Sequence, residues 1–219
     1  MLKPVVFSAA LFPILKIGRN AFWGAGLGAD PIAEVLNRLG FWTLTILTTS
    51  LACTPLSLIF RIKWPLRIRR MLGLFAFAYG AIHFAFYLGV DQFFDLPAVF
   101  ADIAKRKFIL IGFCALVTLS VLAATSTKRT VRKMGYAKWK RLHRLVYAAA
   151  TLGAIHFLWR VKADRREPLI FVSIIAALLL IRLVHWASGR AVRNGPVNRA
   201  TTQGGPGADG RRTAPTRPA

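Results

Sequence analysis

Met71-Leu72-Gly73-Leu74-Phe75-Ala76-Phe77-Ala78-Tyr79-Gly80-Ala81-Ile82-His83-Phe84-Ala85-Phe86-Tyr87-Leu88-Gly89-Val90 runs for 20 residues without a charge, between Arg70 and Asp91. At about 1.5 Å per helical residue, such a run crosses the ~30 Å hydrocarbon core of a bilayer. Five further predominantly apolar runs of similar length lie at roughly 4 to 23, 39 to 60, 107 to 125, 141 to 160 and 168 to 187. With 71 to 90 they predict an all-α membrane protein, a six-transmembrane-helix bundle.

Composition agrees with that reading once the charges are located. Of 219 residues, 55% are hydrophobic, yet 31 Lys/Arg against 8 Asp/Glu give a net charge of +23. In a soluble chain so basic a balance would point to nucleic acid. Here the charges fall between the apolar runs, so the partner is the lipid bilayer and nucleic acid is not expected. Segments 61 to 70 and 126 to 140 carry eleven Lys/Arg and no acid, while seven of the eight acids fall in the other three loops. The positive-inside rule then places both termini in the cytoplasm, and a bacterial inner membrane is the expected location. The acidic loops, with Asp91, Asp95 and Asp102, would face outward, a surface suited to a partner with basic groups.

The first span is interrupted by Lys16 and Arg19. The apolar stretch after Lys3 has signal-peptide character, but the single Lys before it and the early polar break predict a retained helix. Residues 1 to 187 form the predicted transmembrane domain. From Ser188 the composition turns to Gly, Pro, Thr and Arg, which predicts a disordered basic cytoplasmic tail over 188 to 219. Gly24-Ala25-Gly26-Leu27-Gly28 is no nucleotide loop, because it lacks the preceding strand of a dinucleotide fingerprint. It predicts a tight turn, with Asp30 and Pro31 starting a short interfacial helix. Cys53 and Cys114 lie within spans and read as small buried hydrophobes; no CxxC or CxxCH occurs.

Histidine in hydrocarbon is costly, and an ionisable residue there is a functional candidate by default. His83 lies thirteen residues beyond Arg70, ~20 Å of helix, and His156 lies fifteen beyond Arg141, ~23 Å. The depths agree within a turn on two spans running the same way, so facing imidazoles can hold the iron of a b-type haem. Gly73, Ala76, Ala78, Gly80, Ala81 and Ala85 would let a flat macrocycle approach the backbone, or simply serve helix packing. Phe77, Tyr79, Phe84, Phe86, Phe157 and Trp159 can line a porphyrin or face lipid. His143, at the cytoplasmic start of span five, is 140° off the face of His156 on a straight helix. It reaches a second, inner haem only if the helix bends; otherwise it is a solvated helix start. Arg69 and Arg70 sit near its level and suit a haem propionate, a flavin phosphate or a quinone headgroup. His185 beside Trp186 reads as interfacial, with a weaker claim to the level of His143.

Four segments carry a resemblance: Arg69-Arg70-Met71-Leu72-Gly73-Leu74 leading to His83, Lys140-Arg141-Leu142-His143-Arg144-Leu145-Val146-Tyr147, Ile155-His156-Phe157-Leu158-Trp159, and Gly26-Leu27-Gly28-Ala29-Asp30-Pro31. Together they resemble the MsrQ family, haem-binding membrane subunits of bacterial periplasmic methionine-sulfoxide reductase systems, over roughly residues 10 to 187. The resemblance implies a six-helix ferric-reductase-like domain related to the membrane core of NADPH oxidases. It implies electrons from the quinone pool, one or two b-type haems, flavin mononucleotide (FMN) as a further cofactor, and delivery to MsrP, a periplasmic molybdopterin enzyme. The family's three haem-associated histidines correspond to His83, His143 and His156. The span-three position where the oxidases carry another histidine falls near Arg69 or Arg70, which puts a complete inner bis-histidine site in doubt; His185 matches no family ligand.

The resulting expectation is a membrane electron conduit without its own methionine-sulfoxide chemistry, since the chain has no nucleophile, acid pair or metal cluster for it. One rival is a ferric or flavin-linked reductase core fed by a cytosolic flavin reductase docking on the basic face. The other is a transporter using the histidines as a proton relay, a class that often shows internal repeats and broken helices; neither is expected here.

Overall fold

The computed structural model describes residues 2–23, 28–162 and 164–193, with side chains of the last helix described through Ser188. Nine helices account for these residues: α1 (Leu2–Trp23), α2 (Pro31–Ile59), α3 (Trp64–Phe86), α4 (Leu96–Lys105), α5 (Lys107–Ala124), α6 (Lys128–Met134), α7 (Tyr136–Leu142), α8 (Leu145–Arg160) and α9 (Arg166–Arg193). A π-helical turn, Tyr87–Asp91, prolongs α3. The six expected spans correspond to α1, α2, α3, α5, α8 and α9. Five of these are long and apolar enough to cross a membrane. The exception, α8, has 16 residues, because the chain turns at His143 and Arg144 rather than continuing from α7.

Local chemistry fixes the ends. The Asp30 side chain accepts from the Ala33 N–H at 3.0 Å and Pro31 opens the first turn, so α2 starts at Asp30. Where a separate short interfacial helix was expected, one 29-residue helix continues straight into the second span. Gly40 is the weakest helix former between Pro31 and Pro55, and one glycine costs only about 1 kcal/mol against alanine. Asp95 caps α4 and Thr127 caps α6 in the same way, and Gly135, at φ +79°, separates α6 from α7. The turn expected at residues 24–27 lies outside the described residues, as does the tail beyond Arg193.

Two antiparallel pairs, α2 with α3 and α5 with α8, form the heart of the bundle; α1 packs on α2 and α3. Ala76, Ala149 and Ala150 are wholly buried, the small-residue contact that lets membrane helices approach closely. Leu39, Leu47, Leu51, Leu72 and Tyr79 complete the core, with Phe41 and Phe157 meeting Phe171 of α9 edge-on. Outward faces carry exposed Phe12, Leu110, Val117, Leu180 and Leu183, as a helix bundle solvated by lipid requires. Cys53 is buried, but Cys114 is exposed rather than internal. The bundle unit ends at Leu183; the rest is a separate unit whose described part continues helical to Arg193, with Ser188 Oγ donating to the Val184 carbonyl at 2.9 Å.

Candidate cofactor sites

His83 on α3 and His156 on α8 face each other with ring centres 6.4 Å apart and planes at 83°. Each Nδ1 is held by a backbone carbonyl of the neighbouring helix, His83 by Leu36 at 3.0 Å and His156 by Phe108 at 2.7 Å. A carbonyl only accepts, so each Nδ1 carries the proton and each Nε2 keeps its lone pair free for a metal. Two imidazoles binding one ion from opposite sides, with nitrogens about 2 Å from it, have ring centres about 6 Å apart. The pair therefore fits a single metal ion between the rings.

Glycines create the room. A Cβ on Gly112 of α5 would stand 2.6 Å from His156 Nδ1 and 2.8 Å from its Cε1, so the ring occupies space that only glycine leaves. A Cβ on Gly40 of α2 would reach His83 Cε1 at 3.4 Å. Gly80 and Gly153 stand one helical turn before the two histidines and line the same cavity of about 360 Å³. Its walls are mostly apolar, with Phe84 and Phe157 among them, while Arg160 and Arg106 lie at the end bearing Asp30 and Asp91. Arg160 donates to Asn37 Oδ1, and Arg106 is paired with Asp102. These features suit a planar apolar macrocycle with acidic substituents. Of the other aromatics considered, Tyr79 is buried against α1 and Trp159 faces outward.

The acidic residues at this end are largely engaged locally. Asp30 and Asp95 cap helices, Glu34 pairs with Arg38, and Asp102 also accepts from the Tyr87 hydroxyl at 2.9 Å.

At the opposite end a second cavity, about 290 Å³, is lined by Arg69, Arg70, Lys140, His143, Arg144 and Arg182, with Tyr136, Trp139 and Tyr147. No carboxylate appears among its described lining residues. Arg69 Nη1 donates to Thr54 at 3.0 Å, and Ser50 Oγ donates to the Arg69 carbonyl at 2.9 Å. The turn at His143 and Arg144 is the bend that this histidine needed to point inward. Its ring lies 4.1 Å from that of Trp139, and its Nε2 is 3.3 Å from Thr125 Oγ1. A lining that gathers cations from α3, α7, the α7–α8 turn and α9 with three aromatic side chains fits a planar anion. His185 is exposed on α9.

A repeat missed in the sequence relates the two helix pairs. Gly80-Ala81-Ile82-His83-Phe84 recurs as Gly153-Ala154-Ile155-His156-Phe157. On the partner helices, Leu36 and Gly40 are matched by Phe108 and Gly112: in both pairs the histidine bonds the carbonyl four residues before the glycine facing it. In this register His143, thirteen residues before His156, corresponds to Arg70, thirteen before His83. The structure thus holds both an internal repeat and a broken helix, two features that were not expected. Arg160 and Arg182 were also missed: Arg160 sits at a span end where nothing local marks it, whereas Arg182, a charge inside an apolar run, was marked by the same rule that singles out the histidines.

Residues 39–154 match the family model described as ferric reductase like transmembrane component. Haem-binding subunits of protein-methionine-sulfoxide reductase named MsrQ are similar over most of the chain. That of Rhodospirillum rubrum is 50% identical over 179 residues, 82% of this chain and 86% of its own length. That of Herminiimonas arsenicoxydans is 44% identical over 198 residues, 89% of each chain. That of Deinococcus radiodurans is 44% identical over 182 residues, covering 83% of this chain and 89% of its own.

Proposed function

The chain belongs to the MsrQ family of ferric-reductase-like membrane proteins, and from that premise we propose that it is the haem-binding electron-transfer subunit of a methionine-sulfoxide reductase system. The observation that carries this reading is the His83–His156 pair, with both Nδ1 atoms fixed and both Nε2 atoms free. When bound, a b-type haem supplies a one-electron carrier whose potential follows axial ligation, burial and nearby charge. His83 and His156 would hold its iron through Nε2. The Leu36 and Phe108 carbonyls orient both rings and raise their basicity as ligands. Arg160 offers a guanidinium to a propionate at the outer end, and the apolar walls keep water from the ring faces.

In this scheme the chain lies in the inner membrane with its basic end and both termini in the cytoplasm. Oxidation of a quinol releases two electrons and two protons, and the electrons cross singly. A periplasmic MsrP-type molybdopterin enzyme takes both, with two protons, to reduce one sulfoxide to methionine and water. We assign FMN to the basic-end cavity, where Arg69 and Arg70 would hold its phosphate and His143 would lie alongside. A second haem there would need a non-histidine partner for His143, because Arg70 stands at the matching position.

The basic end favours one alternative source, a cytosolic flavin reductase docking on its cations. Mixing purified protein with a quinol analogue separates the two. Rapid appearance of the reduced haem spectrum without flavoprotein supports the quinone route; reduction only after a flavin reductase and nicotinamide are added would replace it.

A further inference from the structure

Arg182 stands in an otherwise apolar stretch of α9, after Leu178-Leu179-Leu180-Ile181. Its Nη2 donates to the Leu51 carbonyl at 2.6 Å. Pro55 explains why that carbonyl is available: it occupies the i+4 position of α2 and has no N–H to offer. The guanidinium carbon lies 5.0 Å from the centre of the Tyr147 ring. Both partners are neutral, and Nε is buried without a hydrogen-bond partner. Around it the cavity wall presents Arg69, Arg70, Lys140 and Arg144, and no carboxylate among its described residues.

A buried donor left open beside like charges, at the wall of a cavity with aromatic sides, is arranged for an anion that is not part of the chain. We infer that Arg182 is the deep oxyanion-binding residue of the basic-end cavity, holding the phosphate or carboxylate of a planar cofactor between itself and the Arg69–Arg70 pair. The inference rests on reading that cavity as a cofactor site, and it adds a residue from α9 to a site otherwise lined by α2, α3, α5, α7, α8 and the α7–α8 turn. Two sources share the chemistry, a flavin phosphate and a haem propionate.

Arg182 also satisfies Leu51, so the test starts from Pro55→Ala, in which the residue-55 N–H takes over that carbonyl. In this background Arg182→Gln removes the charge and Arg182→Lys keeps it. Detergent-purified full-length proteins are titrated with FMN, followed by flavin fluorescence, and their haems are titrated potentiometrically. The expected result is at least a tenfold weaker FMN affinity in Arg182→Gln, largely recovered in Arg182→Lys, which identifies phosphate. A downward shift of one haem potential with FMN affinity unchanged supports the same residue acting on a propionate. Unchanged FMN affinity together with unchanged potentials in Arg182→Gln overturns the inference and leaves Arg182 only its bond to Leu51. If the parent lacks the haem between His83 and His156, the proposed function fails, while the flavin titration still reads Arg182.

Discussion

Gly112 shows how much of the haem site is decided by an absent side chain. In a helix interior alanine is favoured over glycine by about 1 kcal/mol, so Gly112→Ala should stabilise α5 on propensity alone. The added methyl would stand 2.6 Å from His156 Nδ1, however, and must push the ring off the Phe108 carbonyl. The expected outcome is a folded protein that has lost most of its low-spin haem, measured by visible spectroscopy and pyridine-haem quantitation. Gly18→Ala, where nothing lies within 4 Å, should keep the haem and raise thermal stability. The histidines themselves were legible in the sequence, because a titratable side chain at matched depth in two apolar runs is conspicuous. The glycines opposite them were not, since their meaning depends on which helix lies across the gap. Arg160 was hidden similarly, at a helix end where an arginine is unremarked until Asn37 is seen beside it.

Prolines inside α1 and α2 open the backbone, and each opening is met by a side chain from another helix. Near Pro13 the Tyr79 hydroxyl inserts into the ladder of α1, donating to the Ala10 carbonyl at 2.8 Å and accepting from the Ile14 N–H at 2.9 Å. Tyr79→Phe removes that bridge and should loosen α1 at a cost of about 1 kcal/mol, a typical net hydrogen-bond contribution. Amide exchange at Ile14 faster than in the parent, with the haem spectrum intact, is the expected reading; unchanged exchange would mean that packing alone holds α1 in place around Pro13. Pro55 is met by Arg182, so Arg182→Gln should destabilise the parent more than Pro55→Ala, as equilibrium unfolding in detergent would show. The helices were legible as apolar runs, and the Asp30-Pro31 start was visible as a cap. What hydropathy could not resolve was continuity. It split α2 in two, although no strong breaker separates Pro31 from Pro55, and it ran span five through His143, where the chain turns. The Gly-Ala-Ile-His-Phe repeat was present in the letters, but a single pentapeptide recurring once has no period, and its meaning depends on the two copies facing each other across the cavity.

At the scale of the molecule the architecture is two similar helix pairs meeting across their histidines, with differing chemistry at the two ends. The end near His83 and His156 mixes acids and bases that largely pair or cap helices, whereas the other gathers cations around a cavity with no described carboxylate. Their segregation predicts orientation. In intact cells a membrane-impermeant maleimide should label Lys162→Cys and leave Lys128→Cys unlabelled until the membrane is opened; the reverse pattern would invert the proposed direction of electron flow. Fold class and the depth match were readable from one sequence because a bilayer imposes length and charge rules on every span. Helix adjacency was not, since apolar faces alone do not say which neighbour they meet. The central claim is that one iron is held between His83 and His156, and it is tested most directly by oxidised and reduced spectra of the purified protein beside His83→Ala and His156→Ala. A low-spin b-type spectrum lost in both variants, with helical content unchanged by circular dichroism, is the predicted result. The same low-spin spectrum surviving in either variant, or no haem in the parent despite ample supply, would contradict it.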